Sequence, residues 1–447
     1  MVDKYDLIVI GSGAAAQTVV YDCAAAGWNV ALIEERLIGG TCALRGCIPK
    51  KVLVGVAETI SRIHDLKGKG IAVENDGINW SALIKFKKSF TDNKPEVITK
   101  SLKQAGIDIF HGHASFIDEK TIEVDGKRFV STYFFIATGA IPRPLEFPGS
   151  EFVITSDDFF NLNQLPDSIA FIGGGFISFE LAHIAARAGC KVTILHRSSQ
   201  PLKQFDRDLV EMLLMATKDI GINVRTNMAV HAVEKTNGGF QVIAGDDNEK
   251  ISANLVIHGA GRIPNIKGLS LDRANVSFSK KGIEVNDYMQ SISNPAVFAA
   301  GDVSASGLPL TPVAGAEGRV VLKNLLKKDV YPSTISHIPS TLFTIPPLSS
   351  VGLTEVEVEE KGLDVRINTA ESDSWFTSKR IGLKHAGFKI LIDEKRNQLV
   401  GAHLLGNHAE EIINVFALAM KQQITVDQLK DMVWSYPTST YDINYMI

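Results

Sequence analysis

An α/β fold is what this sequence predicts, and three observations predict it. A strand, glycine turn, helix and second strand occur in succession at residues 5–36. The same succession returns from Ile169, with the turn glycines Gly11 and Gly173 lying 162 residues apart. From about residue 336 the alternation gives way to a run of strands followed by one helix. Strands that alternate with helices form parallel sheets covered on both faces, whereas consecutive strands form antiparallel ones.

In the first unit, Tyr5 to Ile10 reads as a buried strand, Gly11-Ser12-Gly13-Ala14-Ala15-Ala16 as the turn, and an alanine-rich helix runs through Ala26. Val30 to Ile33 is the next strand and Glu34 follows it. Gly11 and Gly13 permit a tight turn and close approach of a pyrophosphate to the helix start, and small Ala16 lets helix and strand pack. Glu34 is placed to bind a ribose hydroxyl. In the second unit the strand Ile169 to Ile172 precedes Gly173-Gly174-Gly175-Phe176-Ile177-Ser178, a helix through Ala188 and the strand Lys191 to Leu195. Two such units imply two dinucleotide sites, that is, two Rossmann-type domains. The third region carries strands near Phe388 to Ile392 and Leu399 to Leu405, then a helix from Glu410 to Lys421.

Between the first unit and the rest lies Gly39-Gly40-Thr41-Cys42-Ala43-Leu44-Arg45-Gly46-Cys47-Ile48-Pro49-Lys50. On a helix, residues three to five apart become neighbours, so Cys42 and Cys47 are spaced to close and reopen a small disulfide ring. Arg45, Lys50 and Lys51 surround them with positive charge, which favours the reactive thiolate. A metal site needs about four ligands; this stretch offers two sulfurs and no nearby histidine, so no metal is expected. Cys23 and Cys190 sit in apolar contexts and read as inert buried thiols. Nothing beside His113 or His408 completes a site.

The 447 residues suffice for about three domains, and 45% hydrophobic content supplies their cores. With 46 basic against 50 acidic residues the net charge is −4, which points away from nucleic acid and anionic membranes and towards a small molecule. No apolar run approaches the roughly 20 residues of a membrane helix. Leu7 to Ile10 is too short for a signal-peptide core, so a cytoplasmic location is expected.

The segment from Gly39 to Lys50 resembles the redox-active segment of the flavin-dependent pyridine nucleotide-disulfide oxidoreductases, the family of glutathione reductase, dihydrolipoamide dehydrogenase and mercuric reductase. The resemblance extends along nearly the whole chain. It implies an FAD-binding domain at 1–148, completed by 266–333, a nicotinamide-nucleotide domain at 149–265, and a C-terminal α+β interface domain at 334–447 that makes a homodimer. It implies that Gly40, Thr41, Thr138, Gly139, Gly301, Asp302, Leu310, Thr311 and Pro312 hold FAD. It makes Cys47 the flavin-facing thiol and Cys42 the thiol that meets a small-molecule electron acceptor. Lys50 is expected to pair with Glu180, and Phe176 to gate the flavin. Gly173, Gly175, Arg197, Lys203 and Arg262 are the expected nicotinamide-nucleotide contacts. An acid after the second unit's last strand would favour NAD; Arg197 and Lys203 instead, with no acid before Asp206, favour NADPH over NADH.

The resemblance fails at the carboxyl terminus. Disulfide reductases of this family place a histidine and, five residues on, a glutamate there as an acid/base pair. Here the segment is Tyr436-Pro437-Thr438-Ser439-Thr440-Tyr441-Asp442. Tyrosine and histidine differ by about 3.5 in ordinary pKa, about 5 kcal/mol, so near neutral pH Tyr436 donates a hydrogen bond but hardly accepts a thiol's proton. Ala14 and Tyr21 replace residues with which glutathione reductase meets its substrate, although Arg319 is kept. The expected activity is therefore NADPH-dependent transfer through flavin and Cys42–Cys47 to an acceptor other than glutathione disulfide: a small disulfide, a quinone or a metal ion. Two alternatives stand beside it, a glutathione-reductase-like enzyme with Tyr436 as proton donor, and a flavin-binding redox sensor.

Overall fold

A computed structural model of the chain describes residues 3–74, 77–327 and 331–447. The chain divides into two compact units, one of residues 1–49, 86–144 and 261–335, the other of 50–85, 145–260 and 336–447. Residues 50–85, inside the range expected for the first domain, thus belong to the second unit.

The first unit is built on a seven-stranded sheet. Strand β1 (Asp3–Ile10) lies centrally, parallel to β2 (Val30–Glu34) on one side and to Lys127–Ile136 on the other. Its apolar run explains its place: Leu7 and Val9 enter one buried cluster, Ile8 and Ile10 another, so both faces of the strand are covered. Helix α1 (Ala14–Ala25) packs with the helix Thr311–Leu326 on the Leu7/Val9 side. Ala16 is fully buried there, as helix–strand packing requires. The turn between β1 and α1 needs glycine: at Gly11 φ is +102° and a Cβ would lie 2.4 Å from the Ala137 carbonyl oxygen.

The second unit holds a four-stranded parallel sheet in the order Asn223–Arg225, Lys191–Leu195, Ser168–Ile172, Leu255–His258. It also holds a five-stranded antiparallel sheet in which Gly387–Asp393 lies between Val365–Glu371 and Gln398–Leu405. The helix Ala409–Lys421 packs on this sheet through Ile412, Ile413 and Phe416. Leu53, Ala57 and Trp80 share one core with Phe171, Phe179 and Leu405, which is why residues 50–85 fold with this unit. Among the described residues, no helix is long and apolar enough to cross a membrane.

Candidate active site

The cysteine segment does not form one helix. Helix α2 (Gly40–Arg45) carries Cys42, the chain breaks at Gly46, and α3 (Cys47–Leu66) begins with Cys47. Gly46 sits so close to the preceding turn that a Cβ would stand 3.0 Å from the Thr41 carbonyl oxygen. The expected helical neighbourhood of the two sulfurs is therefore made by a break between two helices. Gly40, with φ +72°, lies so near the first glycine turn that a Cβ would meet Gly13 Cα at 2.5 Å.

Both cysteines are thiols in this structure. Cys47 Sγ is 3.3 Å from Thr311 Oγ1, the first residue of a 16-residue helix. A helix start stabilises negative charge, so it favours a thiolate on the sulfur beside it. The hydrogen bond with Cys47, followed by burial, pushes the Cys42 thiol well above the ordinary thiol range, against a smaller downward pull from the Thr311 hydroxyl. Cys42 therefore holds its proton more tightly than an ordinary thiol does.

Cys42 borders a cavity of about 140 Å³ in the first unit. Gly11, Gly13, Glu34, Gly40, Thr41 and Cys42 line it, as do Thr138, Gly139, Gly301, Asp302 and Thr311. Leu310 caps the helix that starts at Thr311, and Pro312 occupies its first turn. No side chain caps the amino end of α1, so its N–H groups are open to an anion. A cleft lined by the Glu34 carboxylate, an uncapped helix start and the Cys42 thiol fits a flavin dinucleotide.

Three positioning groups here were not foreseen from the sequence. Ser12, buried between the two turn glycines, donates from N (3.0 Å) and Oγ (2.6 Å) to Glu34 Oε2. The same hydroxyl accepts from Gly39 N–H at 2.9 Å, tying the glycine turn to the start of the cysteine segment. Glu317, also buried, accepts from Gly301 N–H at 2.7 Å; burial raises both its pKa and that of Asp302, with Arg262 pulling Asp302 back down. His113, set aside on sequence, lies 2.8 Å from Glu35 at the cavity wall.

In the second unit the glycine turn repeats. Gly173 has φ +104° and a Cβ there would lie 2.5 Å from the Gly259 carbonyl oxygen. Gly175 precedes the helix Phe176–Arg187, whose start again has no side-chain cap. Phe176 is exposed at that start. On the same helix Glu180 accepts from Lys50 Nζ at 2.8 Å and from Phe343 N–H at 2.9 Å, with both side chains about nine-tenths buried. The Lys50 ammonium also lies 3.8 Å from the Phe343 ring centre.

Arg197 and Lys203 are exposed on the segment between the strand Lys191–Leu195 and the helix Arg207–Asp219. Arg262 belongs to the first unit, where its guanidinium donates to the Ala140 carbonyl. A further residue missed on sequence is His196, whose Nδ1 accepts from Gly174 N–H at 3.1 Å while Nε2–H donates to the Gln200 carbonyl at 2.9 Å. The signal was available, since His196 follows Gly174 by the same 22 residues as Glu34 follows Ser12.

Tyr436 is 70% exposed and stands edge-on to Tyr441, ring centres 4.9 Å apart. Asp442 turns inward, bonded by the Thr377 hydroxyl, and its burial raises its pKa. Among the described residues, no three histidine, cysteine or carboxylate side chains gather as metal ligands.

Two dinucleotide-type units and a cysteine pair, one member of which lines a cleft, define a flavin- and nicotinamide-dependent oxidoreductase. The chain belongs to the pyridine nucleotide-disulphide oxidoreductase family, whose pattern matches residues 5–318, and the dimerisation domain of that family matches residues 338–446. Over 98% of both chains it is 32% identical to a glutathione reductase of Nostoc sp. (strain PCC 7120 / SAG 25.82 / UTEX 2576). It is 31% identical to a mercuric reductase of Staphylococcus aureus over 97% of this chain and 80% of that one. Among solved structures, the Cu(II) complex of the HOCl-induced flavoprotein disulfide reductase RclA from Escherichia coli superposes with a TM-score of 0.89 at 27% identity, covering 98% of this chain and 99% of that one. The protein is thus an FAD-dependent NAD(P)H oxidoreductase of the disulfide reductase type.

Proposed function

We propose that this enzyme is a homodimer that uses NADPH to reduce the Cys42–Cys47 disulfide and passes the electrons to a metal ion, with Cu(II) the first to test. FAD bound along the first unit's cleft supplies the two-electron step between nicotinamide and disulfide. In this reading Cys47, beside Thr311, faces the flavin as thiolate, and Cys42 holds its proton until the acceptor arrives. The buried Lys50–Glu180 pair provides fixed charges whose separation would leave one ion uncompensated. Arg197 and Lys203 receive the 2'-phosphate, and Phe176 covers the flavin between turnovers.

The observation that carries the choice of acceptor is the pair Tyr436 and Tyr441 where an acid/base pair is expected. Reducing a disulfide requires a proton for the departing thiolate, and reducing a quinone requires two. A metal ion requires none: two Cu(II) and one dithiol give two Cu(I), one disulfide and two protons released to water. Thiolates are also the soft donors that Cu(I) prefers. The likeness to a reductase solved as a Cu(II) complex supports testing Cu(II) first.

The test is an anaerobic NADPH titration of the purified flavoprotein, followed at the long wavelength where a thiolate absorbs against oxidised flavin. A band after two electrons, absent from Cys47→Ser, is expected, together with loss of Cu(II)-dependent NADPH consumption in Cys42→Ser. Bleaching of the flavin without that band overturns the thiol route. The relatives named glutathione reductase support a second reading, in which Tyr436 donates the proton to a leaving glutathione thiolate. Steady turnover of glutathione disulfide with a bell-shaped pH profile, lost in Tyr436→Phe, would establish it.

A further inference from the structure

The segment that carries Arg197 and Lys203 is held at both ends, and the two ends are held differently. At its start and middle, His196 and Leu202 bond to Gly174, the latter through Leu202 N–H to the Gly174 carbonyl at 3.0 Å. At its far end stands Asp206, 3% exposed, whose Oδ1 accepts from Asp208 N–H (3.1 Å) and Leu209 N–H (3.4 Å) to cap the helix Arg207–Asp219. A buried carboxylate requires a partner. That partner comes from the antiparallel sheet: Lys389 Nζ, on the strand Gly387–Asp393, lies 3.1 Å from Asp206 Oδ2.

Lys389 is itself 2% exposed, an unusual position for a lysine. It also bonds Asp208 at 2.7 Å and Glu355, but those two side chains are 62% and 36% exposed and have water as an alternative. Asp206 has none. Burial pulls the Lys389 ammonium down, and the bonds to Asp208 and Glu355 with the charge of Asp206 more than reverse it, so the lysine stays charged.

We propose that Lys389 is a positioning residue for nucleotide selectivity: by neutralising Asp206 it fixes the last turn of the 196–206 segment, and with it Lys203, for the 2'-phosphate. The inference rests on the NADPH reading of Arg197 and Lys203. It makes the sheet of the dimerisation domain a support of the nucleotide site. Without Lys389, Asp206 either takes up a proton or turns to water; in both cases the cap weakens three residues from Lys203. A nucleotide lacking the 2'-phosphate does not engage that part of the segment and is indifferent to the change.

The experiment is calorimetric binding of 2',5'-ADP and 5'-ADP to the FAD-loaded enzyme, wild type against Lys389→Met, with KM and kcat for NADPH and NADH alongside. We expect 2',5'-ADP to bind about tenfold more weakly to Lys389→Met, 5'-ADP to bind equally to both, and KM for NADPH to rise at constant kcat. Lys389→Arg should restore most of the affinity. Asp206→Ala removes the cap itself while Asp208 and Glu355 still pair Lys389; a loss in the same direction is expected, and this variant decides the matter if Lys389→Met does not fold. Equal losses for both nucleotides, or none, overturn the proposal. Wild-type enzyme that binds both probes alike removes the NADPH reading, and the proposal with it; discrimination that is kept in Lys389→Met and Asp206→Ala removes the proposal alone.

Discussion

The two glycine-turn units repeat with an offset of 162 residues, and corresponding positions show what each was built to hold. After the last strand of each unit, a side chain reaches back and accepts a backbone N–H from the turn: Glu34 from Ser12, His196 from Gly174. The structural task is the same, but the first acceptor is a carboxylate and the second a histidine kept neutral by burial. A carboxylate at that place suits a ribose diol and repels a phosphate; a neutral imidazole followed by Arg197 does neither. A second pair of positions, Thr18 and Glu180, diverges further. Thr18 bonds the carbonyl of Ala14 within its own helix, whereas Glu180 joins Lys50 in a buried ion pair. The turns are shared; the residues that differ set the charge that stands beside each of them.

The comparison breaks most visibly at the ion pair. Lys50→Met leaves Glu180 buried and uncompensated, and should cost about 3–5 kcal/mol in urea unfolding. Thr18→Ala at the matching position should cost less than about 1 kcal/mol. Comparable losses would show that the two helices are equivalent after all.

Next in size are the turn glycines. Gly11→Ala and Gly173→Ala each force a Cβ to within about 2.5 Å of a carbonyl oxygen at a positive φ, at an expected cost of about 2–4 kcal/mol. Their functional outcomes should separate: Gly11→Ala is expected to purify with little flavin, and Gly173→Ala with its flavin but a raised KM for the nicotinamide nucleotide. Absorbance at the flavin maximum and steady-state kinetics check this.

The smallest effect sharpens the acceptor comparison. His196 is held below its ordinary value of 6.5, chiefly by burial, so on acidification the unfolded chain binds the proton first. Its contribution to stability is therefore complete above about 6.5 and is lost as the pH falls towards its lowered value in the fold. The fully buried His183 and His403 titrate in the same direction, so the measurement is a difference between wild type and His196→Asn across pH 5–8. His196→Asn should flatten the acid limb slightly.

Much of the site was legible because its requirements are local. A positive φ with no room for a Cβ can be met only by glycine, so Gly11 and Gly173 announced the turns, and the apolar runs after Tyr5 and Ile169 announced strands covered on both faces. Two cysteines five apart with a glycine before the second announced a reactive pair, though not the helix break at Gly46 that brings them together. Ser12 lay in plain view between Gly11 and Gly13, but its partner Glu34 is 22 residues away, and nothing in the intervening chain records the bond.

What the sequence by itself determined are the glycine turns, the dithiol, the residues that end each unit's last strand, and the loss of the acid/base pair at Tyr436 and Tyr441. Each follows from the chemistry of one residue or from a spacing of a few residues. The tertiary structure alone decided that 50–85 pack with the second unit, that Glu317 holds Gly301, and that Lys389 neutralises Asp206 from a strand 183 residues away. A buried charge must be matched by another charge in space, and chain distance places no limit on where that partner comes from.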